Sequence, residues 1–471
     1  MTKLSAVLIY FLIALCVGLI SYRKTTNTTG FLMGNRSMGA WLTAMAAHAS
    51  DMSNWLFMAY PATIFIGGLF NSWAAIGLSL CMLLNWQWIA PKLRVMTEKM
   101  GTLTLSTFFE AKLKDDTGRI RLFSAALCFL FYSVYISAGL VGFGYLAESL
   151  FGIPYFFGIF IGVAIVIAYV IIGGFLTLPW LDLFQGLFLL GVILIAPFFI
   201  LPHLGGLEAL KGVMSDKPSL IPSLKGTTFL HILTLSLGWG LGYFGQPHIL
   251  TKFMGIRDIS KIKASKRVGM TWMVLSLTAA TFIGIIATAF FSQGVNDPEM
   301  IFVEMVKNQF SPFLASFILC AILAAIINVV SSQLLVISSI LSEDFYRKLF
   351  PVTANEKKSL LVSRLGIVAC ALFAMGIAAI KPASIFDLVL YAWSGLGAAF
   401  GPLLLHTLYA KRLSTLGAWL GMISGGVIVA LWPLLNSQMA PLLPAFIVSL
   451  GINWGVSRLR ARVPIRPIPQ K

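Results

Sequence analysis

Apolar residues in this chain gather into long unbroken runs, set apart by short polar segments. The runs approach twenty residues. At 1.5 Å rise per residue, a helix of that length crosses about 30 Å of hydrocarbon. Thirteen runs can be delimited, at about 4–21, 41–62, 65–90, 122–147, 154–173, 181–202, 229–250, 268–292, 312–341, 360–380, 385–408, 414–434 and 439–457. A β-barrel would alternate apolar and polar positions over strands of about ten residues. The pattern therefore predicts an all-α polytopic membrane protein of about thirteen transmembrane helices.

Composition agrees. Only 11% of the 471 residues are charged, against about 25% in soluble domains. Mean hydropathy is +0.89. The net charge of +17 suggests nucleic acid at first sight, but its distribution excludes it. If the N-terminus lies outside, 28 of the 34 Lys and Arg residues fall on the inner side and six on the outer. That is the asymmetry of short cytoplasmic loops. The first run has only Lys3 before it and no small-residue cleavage site after it, so it reads as an uncleaved anchor. The expected orientation is N-terminus outside and C-terminus cytoplasmic, in a bacterial inner membrane. Cys16, Cys81, Cys128, Cys320 and Cys370 all fall inside runs, where they read as small buried hydrophobes with no disulfide.

Three stretches stand out as chemistry. Asp51 lies in the middle of the second run, between Ser50 and Ser53. A charge at that depth costs roughly 2.5–3.5 kcal/mol on insertion scales, so it marks a functional position. In the seventh run, Leu237-Gly-Trp-Gly-Leu-Gly-Tyr-Phe-Gly-Gln-Pro-His248 carries four glycines and a proline, which predicts an unwound helix. Trp239, Tyr243 and Pro247 are spaced four apart and form one face, either a ligand platform or interfacial aromatics beside packing glycines. Unwound backbone survives at membrane depth only against protein or a polar cavity. In the ninth run, Asn328, Ser331 and Ser332 cluster within about one turn, a pattern that interhelical hydrogen bonding also explains. Interrupted helices at the second and seventh runs, five apart, are the signature of an inverted-repeat secondary transporter.

Enzymatic and ATP-driven functions find no support. No P-loop is present, His231 and His248 flank one run, and His203 and His406 lack a spaced carboxylate partner. The chain is therefore not expected to be an enzyme, and no cofactor is expected.

At this point the residues carry a family likeness. Ala49-Ser-Asp-Met-Ser53, Gly240-Leu-Gly-Tyr-Phe-Gly-Gln-Pro-His248, Ser332-Gln-Leu-Leu335 with Glu343-Asp344, and Tyr391-Ala-Trp-Ser-Gly-Leu-Gly-Ala-Ala-Phe-Gly-Pro402 occur in order. The chain resembles the sodium/solute symporter family, nearest its bacterial sodium/proline branch. The resemblance implies the leucine-transporter fold, a five-plus-five inverted repeat. It divides the single transporter domain into a peripheral first helix, repeats at 41–202 and 229–408, two peripheral helices at 414–457 and a cytosolic tail at 458–471. It implies sodium-driven import of a small amino acid, L-proline first. Tyr135, Trp239, Tyr243 and Pro247 match substrate positions. Asp51, Ser53, Arg36 and Asp182 match positions tied to ion coupling. Sodium ligands would come from Ala49, Met52, Ala325, Asn328 and Val329.

One departure concerns the ion. The family's Ser-Thr pair in the ninth helix reads Asn328-Val329 here, which keeps one side-chain oxygen and loses the other. Asn54 stands where the proline symporters have Gly, and His48 is a second unusual neighbour of Asp51. Proton coupling or another solute therefore stays open, as does a non-transporting solute sensor. His48 is either a titratable group or a polar packing residue. The expected partners are a small solute, sodium and the lipid bilayer, with no nucleic acid and no obligate protein partner.

Overall fold

In a computed structural model of the chain, described over residues 2–21, 34–208, 210–211, 219, 226–350, 356–435 and 439–460, nearly everything is helix. The sole β feature among these residues is one bridge, Met38 to Ile256. Among the described residues, ten helices are long and apolar enough to cross a membrane. The protein is a multi-pass membrane protein. Arg23 and Lys24, much of the 203–228 loop and the tail from 461 lie outside the described residues.

The helices follow the apolar runs because a helix pairs its own backbone, which hydrocarbon demands. In chain order they are α1 (Lys3–Ser21), α2 (Ala40–Ala49), α3 (Ala59–Gly67), α4 (Trp73–Leu84), α5 (Ala90–Lys99), α6 (Leu105–Leu113), α7 (Arg119–Phe151) and α8 (Tyr155–Ile200). Then come α9 (Gly226–Gly240), α10 (Pro247–Met254), α11 (Ile262–Phe290), α12 (Ile301–Gln309), α13 (Pro312–Ser339), α14 (Glu356–Ile380), α15 (Ile385–Tyr409), α16 (Thr415–Leu431) and α17 (Leu442–Arg460).

Both predicted interruptions are present. The second run is α2, a 3₁₀ turn at Asn54–Leu56, and α3. The seventh is α9, a 3₁₀ turn at Leu241–Gly245, and α10. The fifth and sixth runs join as α8, whose backbone leaves helical values only at Gly174 (φ 54°, ψ −172°), a conformation that needs glycine. Three short helices, α5, α6 and α12, escape the run pattern. α6 starts with a capping box between Thr104 and Thr107, and α12 follows a turn capped by Asp297.

Burial separates core from rim. α13 is buried on every side from Leu319 to Ser339, the mark of a central helix. It packs on α1, α7 and α8. α1 buries only Ala6, Val7, Tyr10 and Ala14 and turns its leucines outward. All five cysteines are free thiols; Cys16 is exposed, against expectation, because it lies on the outward face of α1. Lys252, counted above with a polar loop, is instead buried in α10, 2% exposed, because that half-helix extends further into the core than its hydropathy suggests.

α4 and α9 cross almost backbone to backbone. A Cβ on Gly77 would sit 2.1 Å from the Ser236 carbonyl oxygen, and one on Gly240 would sit 2.5 Å from the Gly77 oxygen. Gly77→Val must push α9, with the broken segment behind it, off α4. The expected loss is about 1–3 kcal/mol, read as a lower melting temperature in detergent.

Candidate functional site: a closed cavity between two broken helices

Each break frees backbone groups that need new partners. After α2, the amides of Asp51 and Met52 both turn back to the His48 oxygen, and the Ser53 amide bonds the Asp51 oxygen at 3.1 Å. The Leu56 amide takes the Ser53 oxygen. The carbonyls of Ala49 and Met52 thereby lose the amides that a continuous helix would aim at them. Ser53 Oγ accepts from the Trp55 amide at 3.2 Å, so this side chain caps the turn.

The second break is braced from two sides. Asn85 Nδ2 donates to the Tyr243 oxygen at 3.0 Å. Trp393 Nε1 of α15 donates to the Trp239 oxygen at 2.8 Å, and Gln246 Nε2 returns a bond to the Trp393 oxygen at 3.0 Å. The two breaks meet at one hydrogen bond: the Tyr243 hydroxyl donates to Asp51 Oδ2.

Around that bond lies a small cavity of ≈ 20 Å³, lined by Asp51, Met52, Trp55, Leu78, Tyr135, Trp239, Tyr243, Val389 and Trp393. None of these is more than 6% exposed, so the cavity is closed on both sides. It has room for about one water in this closed state, and its walls are mostly aromatic. Trp239 touches Trp55 (5.1 Å between rings), and the Tyr243 ring meets Trp393 edge-on at 5.0 Å.

Of the sequence-predicted substrate residues, Tyr135, Trp239 and Tyr243 share this cavity. Pro247 does not; it lines a second, smaller cavity of ≈ 10 Å³ with Thr104, Ser106, Thr251 and Ser339. Trp55, Leu78, Val389 and Trp393 were not singled out from the sequence. Apolar residues in an apolar run carry no signal of their own, though Trp393 sits inside one of the motifs quoted above.

The ion-coupling candidates separate. Asp51 is in the cavity. Arg36 is far from it at the end of α10, where its guanidinium donates to the oxygens of Met254 (2.7 Å), Thr102 (2.9 Å) and Thr97 (3.1 Å). It caps the last carbonyl of α10 and ties it to the end of α5 and the turn after it. Asp182, 1% exposed, pairs with Lys252 Nζ at 3.4 Å, and Ser332 Oγ lies 3.3 Å from the same ammonium. On α13, Asn328 is fully buried and neither of its amide atoms has a partner. Ala325 and Val329 flank it on the same buried helix.

His48 packs between Trp86 and Trp272, and its Nε2 accepts from Trp86 Nε1 at 2.9 Å. That geometry fits the polar packing residue. Asn54 donates to the Ala138 oxygen at 3.1 Å and fills the space left by Gly142.

At the end opposite Arg36, Phe386 packs on Trp239 at 5.3 Å. Its amide and that of Ile385 donate to the two oxygens of Glu299, at 2.8 and 3.0 Å. Glu299 thus pins the first turn of α15, which carries Val389 and Trp393, to the turn before α12. Burial, with Asp297 and Asp387 nearby, pushes its carboxyl from the ordinary 4.5 up to about 7.

The family now follows. The sodium:solute symporter family profile matches residues 31–425. The chain is 39% identical to the high-affinity proline transporter PutP of Bacillus subtilis, over 94% of this chain and 95% of that one. It is 40% identical to sodium/proline symporter 2 of Staphylococcus saprophyticus, over 96% and 92%. Among solved structures, a Na+-coupled sialic acid symporter in a substrate-bound outward-open state superposes with a TM-score of 0.85, at 18% identity over 99% of both chains. MhsT in complex with L-phenylalanine superposes at 0.56, with 14% identity, over 87% of this chain and 97% of that one. The chain belongs to the sodium:solute symporter family, and the fold is the one these transporters share. It is a membrane transport protein, not an enzyme.

Two outcomes are expected. Lys252→Met or Asp182→Leu alone leaves a buried charge unpaired and destabilises by about 3–5 kcal/mol, whereas the double variant loses less than either, measured by thermal unfolding in detergent. Glu299 holds its charge above about pH 7 and loses it below, so its bonds onto α15 are strongest at high pH. Protection of the Ile385 and Phe386 amides from hydrogen exchange falls between about pH 8 and about pH 6, and is low and pH-flat in Glu299→Gln. The contribution of Glu299 to global stability runs the other way. Its folded pKa is raised, so that contribution is full below 4.5 and fades as pH rises through about 7.

Proposed function

We propose that this chain imports L-proline with sodium by alternating access across a bacterial inner membrane. The observation that carries the reading is the Tyr243–Asp51 hydrogen bond inside the closed aromatic cavity. One bond joins the two broken helices, the closed cavity and a carboxylate. Whatever binds on one side of it alters the other, which is what coupling requires. The family supports a solute and a cation; the proline symporters among the relatives support these two.

In this reading thirteen helices cross the membrane, with repeats at 41–202 and 229–408 and the N-terminus outside. The rings of Trp239, Tyr243 and Tyr135 take the apolar ring of proline, and backbone at the breaks takes its charged ends. Pro247 shapes the floor, between this cavity and the next. Asp51 senses the cation through the geometry of its own break. Arg36 and Asp182 serve coupling indirectly, by holding the C-terminal turn of α10.

Sodium is a hard cation, and oxygen donors suit it. The Ala49 and Met52 carbonyls, stripped of their helical donors, support a site there, with the Ala325 carbonyl and the unpartnered Asn328 Oδ1 opposite. Ser53 shapes that turn through its cap. Val329 gives no side-chain oxygen, so the site has one ligand fewer than a Ser-Thr pair would provide.

Uptake of labelled proline into vesicles, with sodium and pH gradients imposed separately, tests the reading. Accumulation should follow sodium. Binding without accumulation under either gradient would turn the chain into a sensor. Val329→Thr should lower the sodium half-saturation by about fivefold, the equivalent of ~1 kcal/mol for one regained ligand. An unchanged value would take position 329 out of the ion site.

A further inference from the structure

α4 and α11 run side by side on the outside of the bundle, with the far half of α8 beside them. Together they enclose an apolar groove of ≈ 680 Å³ that reaches from Leu80 and Val274 to Ser72 and Ile285. Leu80 and Val274 are 56% and 49% exposed, so the groove opens on the surrounding lipid.

Beyond the groove mouth the same two faces change character. On α4 the exposed stripe continues through Leu83 to Gln87, in the π-helical turn Asn85–Ile89. On α11 it continues through Thr271 to Arg267, Lys266 and Lys263. Lys266 Nζ donates to Gln87 Oε1 and ties the two stripes together. Trp88, beside Gln87 and well exposed, marks the level of the membrane interface. Gln87 and Lys266 lie seven and eight residues from Leu80 and Val274, about 10–12 Å along the helices. That is less than the ~15 Å of hydrocarbon in one leaflet.

Charge selects the occupant. The sequence holds no Asp or Glu from 73 to 97 or from 259 to 296. The acids that flank these stretches are already engaged, Glu98 by Arg94 and Asp258 by the Ser260 amide. Among the described residues no carboxylate pairs with Lys263, Lys266 or Arg267. At the other end of the groove, 66–73, 194–202 and 281–297 carry no Lys or Arg. The groove thus has a cationic entrance at one end only. A second copy of this chain, docked by a two-fold axis, would set like charges against like. A zwitterionic headgroup would bring a cation of its own.

We propose that the α4–α11 seam is a binding site for an anionic phospholipid of the leaflet on the Lys-rich side. Its phosphate sits among Lys263, Lys266 and Arg267, with the Gln87 amide as a neutral donor. One acyl chain lies along Leu83 and Leu80 and ends in the groove. Basic pockets between membrane helices hold such headgroups by charge and by charge-assisted hydrogen bonds. The seam also touches the solute site, since α4 supplies Leu78 to the closed cavity and Thr281 of α11 bonds the Tyr60 hydroxyl of α3 at 2.7 Å. A lipid bound to the folded chain alone stabilises it.

The test uses the full chain, purified in a neutral detergent, and a phosphatidylglycerol with a diazirine in mid-chain. Irradiation should mark peptides around 76–83 and 270–278. A phosphatidylcholine with the same chain should mark them at least about fivefold less. Plain phosphatidylglycerol should compete for the label and raise the melting temperature; plain phosphatidylcholine should do neither. One cation near an anionic headgroup is worth about fivefold in affinity. Lys263→Gln, Lys266→Gln and Arg267→Gln combined should therefore cut the cross-linking by at least about tenfold. Lys114→Gln, Arg119→Gln and Lys357→Gln combined remove as many exposed cations from the same side, away from the seam, and should leave it unchanged.

The melting temperature without lipid checks folding. Should the seam triple variant fail to fold, Lys263→Gln alone decides, with an expected loss of about fivefold. Equal marking by the two lipids overturns the site. So does an equal loss in both triple variants, which would mean diffuse surface charge, or cross-links spread over every lipid-facing helix, which would mean a common lipid shell.

Discussion

Backbone that leaves a helix inside a membrane must find partners within the protein, and most of this structure follows from that constraint. Two helices break at similar depth, and the groups they free are then shared out. Asn85 and Trp393 take carbonyls of the second break, and His48 and Ser53 oxygens gather the amides of the first. What is left over is functional: two carbonyls without helical donors, a carboxylate and a tyrosine hydroxyl. The hydroxyl closes the arrangement by bonding the carboxylate. Glycine makes this possible on the other face, because α4 and α9 approach closely enough only where side chains are absent.

The chain holds its two ends shut by different chemistry. At the Glu299 end one carboxylate grips two amides at the start of α15, and an aromatic lid, Phe386 on Trp239, sits over the cavity. At the other end three ion pairs, Arg121 with Asp344 and with Glu110 and Lys348 with Glu110, tie α6 and α7 to the turn that follows α13. Between the two lie Asp182 and Lys252, a buried pair that fixes α10 to α8 and, through Ser332, to α13. Arg36 bonds the last carbonyl of the same short helix. α10 is thus held at its C-terminal turn, while its first residue, Pro247, lies against the second cavity.

Asp51 is where sequence and structure agree most closely. A charge in an apolar run is conspicuous in one dimension, and so are four glycines and a proline in a single helix; both gave correct breaks. Tyr135, Trp239 and Tyr243 were legible because the broken stretch and the family likeness pointed to them. Pro247 was assigned to the same face on its spacing of four, but the 3₁₀ turn at Leu241–Gly245 alters the helical phase between Tyr243 and Pro247. Lys252 was miscounted because a cation seven residues after a glycine cluster looks like a loop until the half-helix carrying it is seen to be buried.

The sequence by itself determined that this is a membrane-spanning helical bundle, where its two helices break, that a carboxylate sits at one break, and to which family it belongs. Each of these rests on local composition: run length, glycine and proline content, an isolated charge and the order of motifs. Only the tertiary structure decided that Tyr243 reaches Asp51, that Trp393 and Val389 of a distant helix complete the cavity, that Lys252 neutralises Asp182, and that Asp344 and Arg121 meet under a second cavity. These pairings join residues 70 to 223 positions apart in the chain. Nothing in the local pattern of an apolar run records which run it will pack against, because in hydrocarbon the choice is made by close packing and by buried polar groups finding one another.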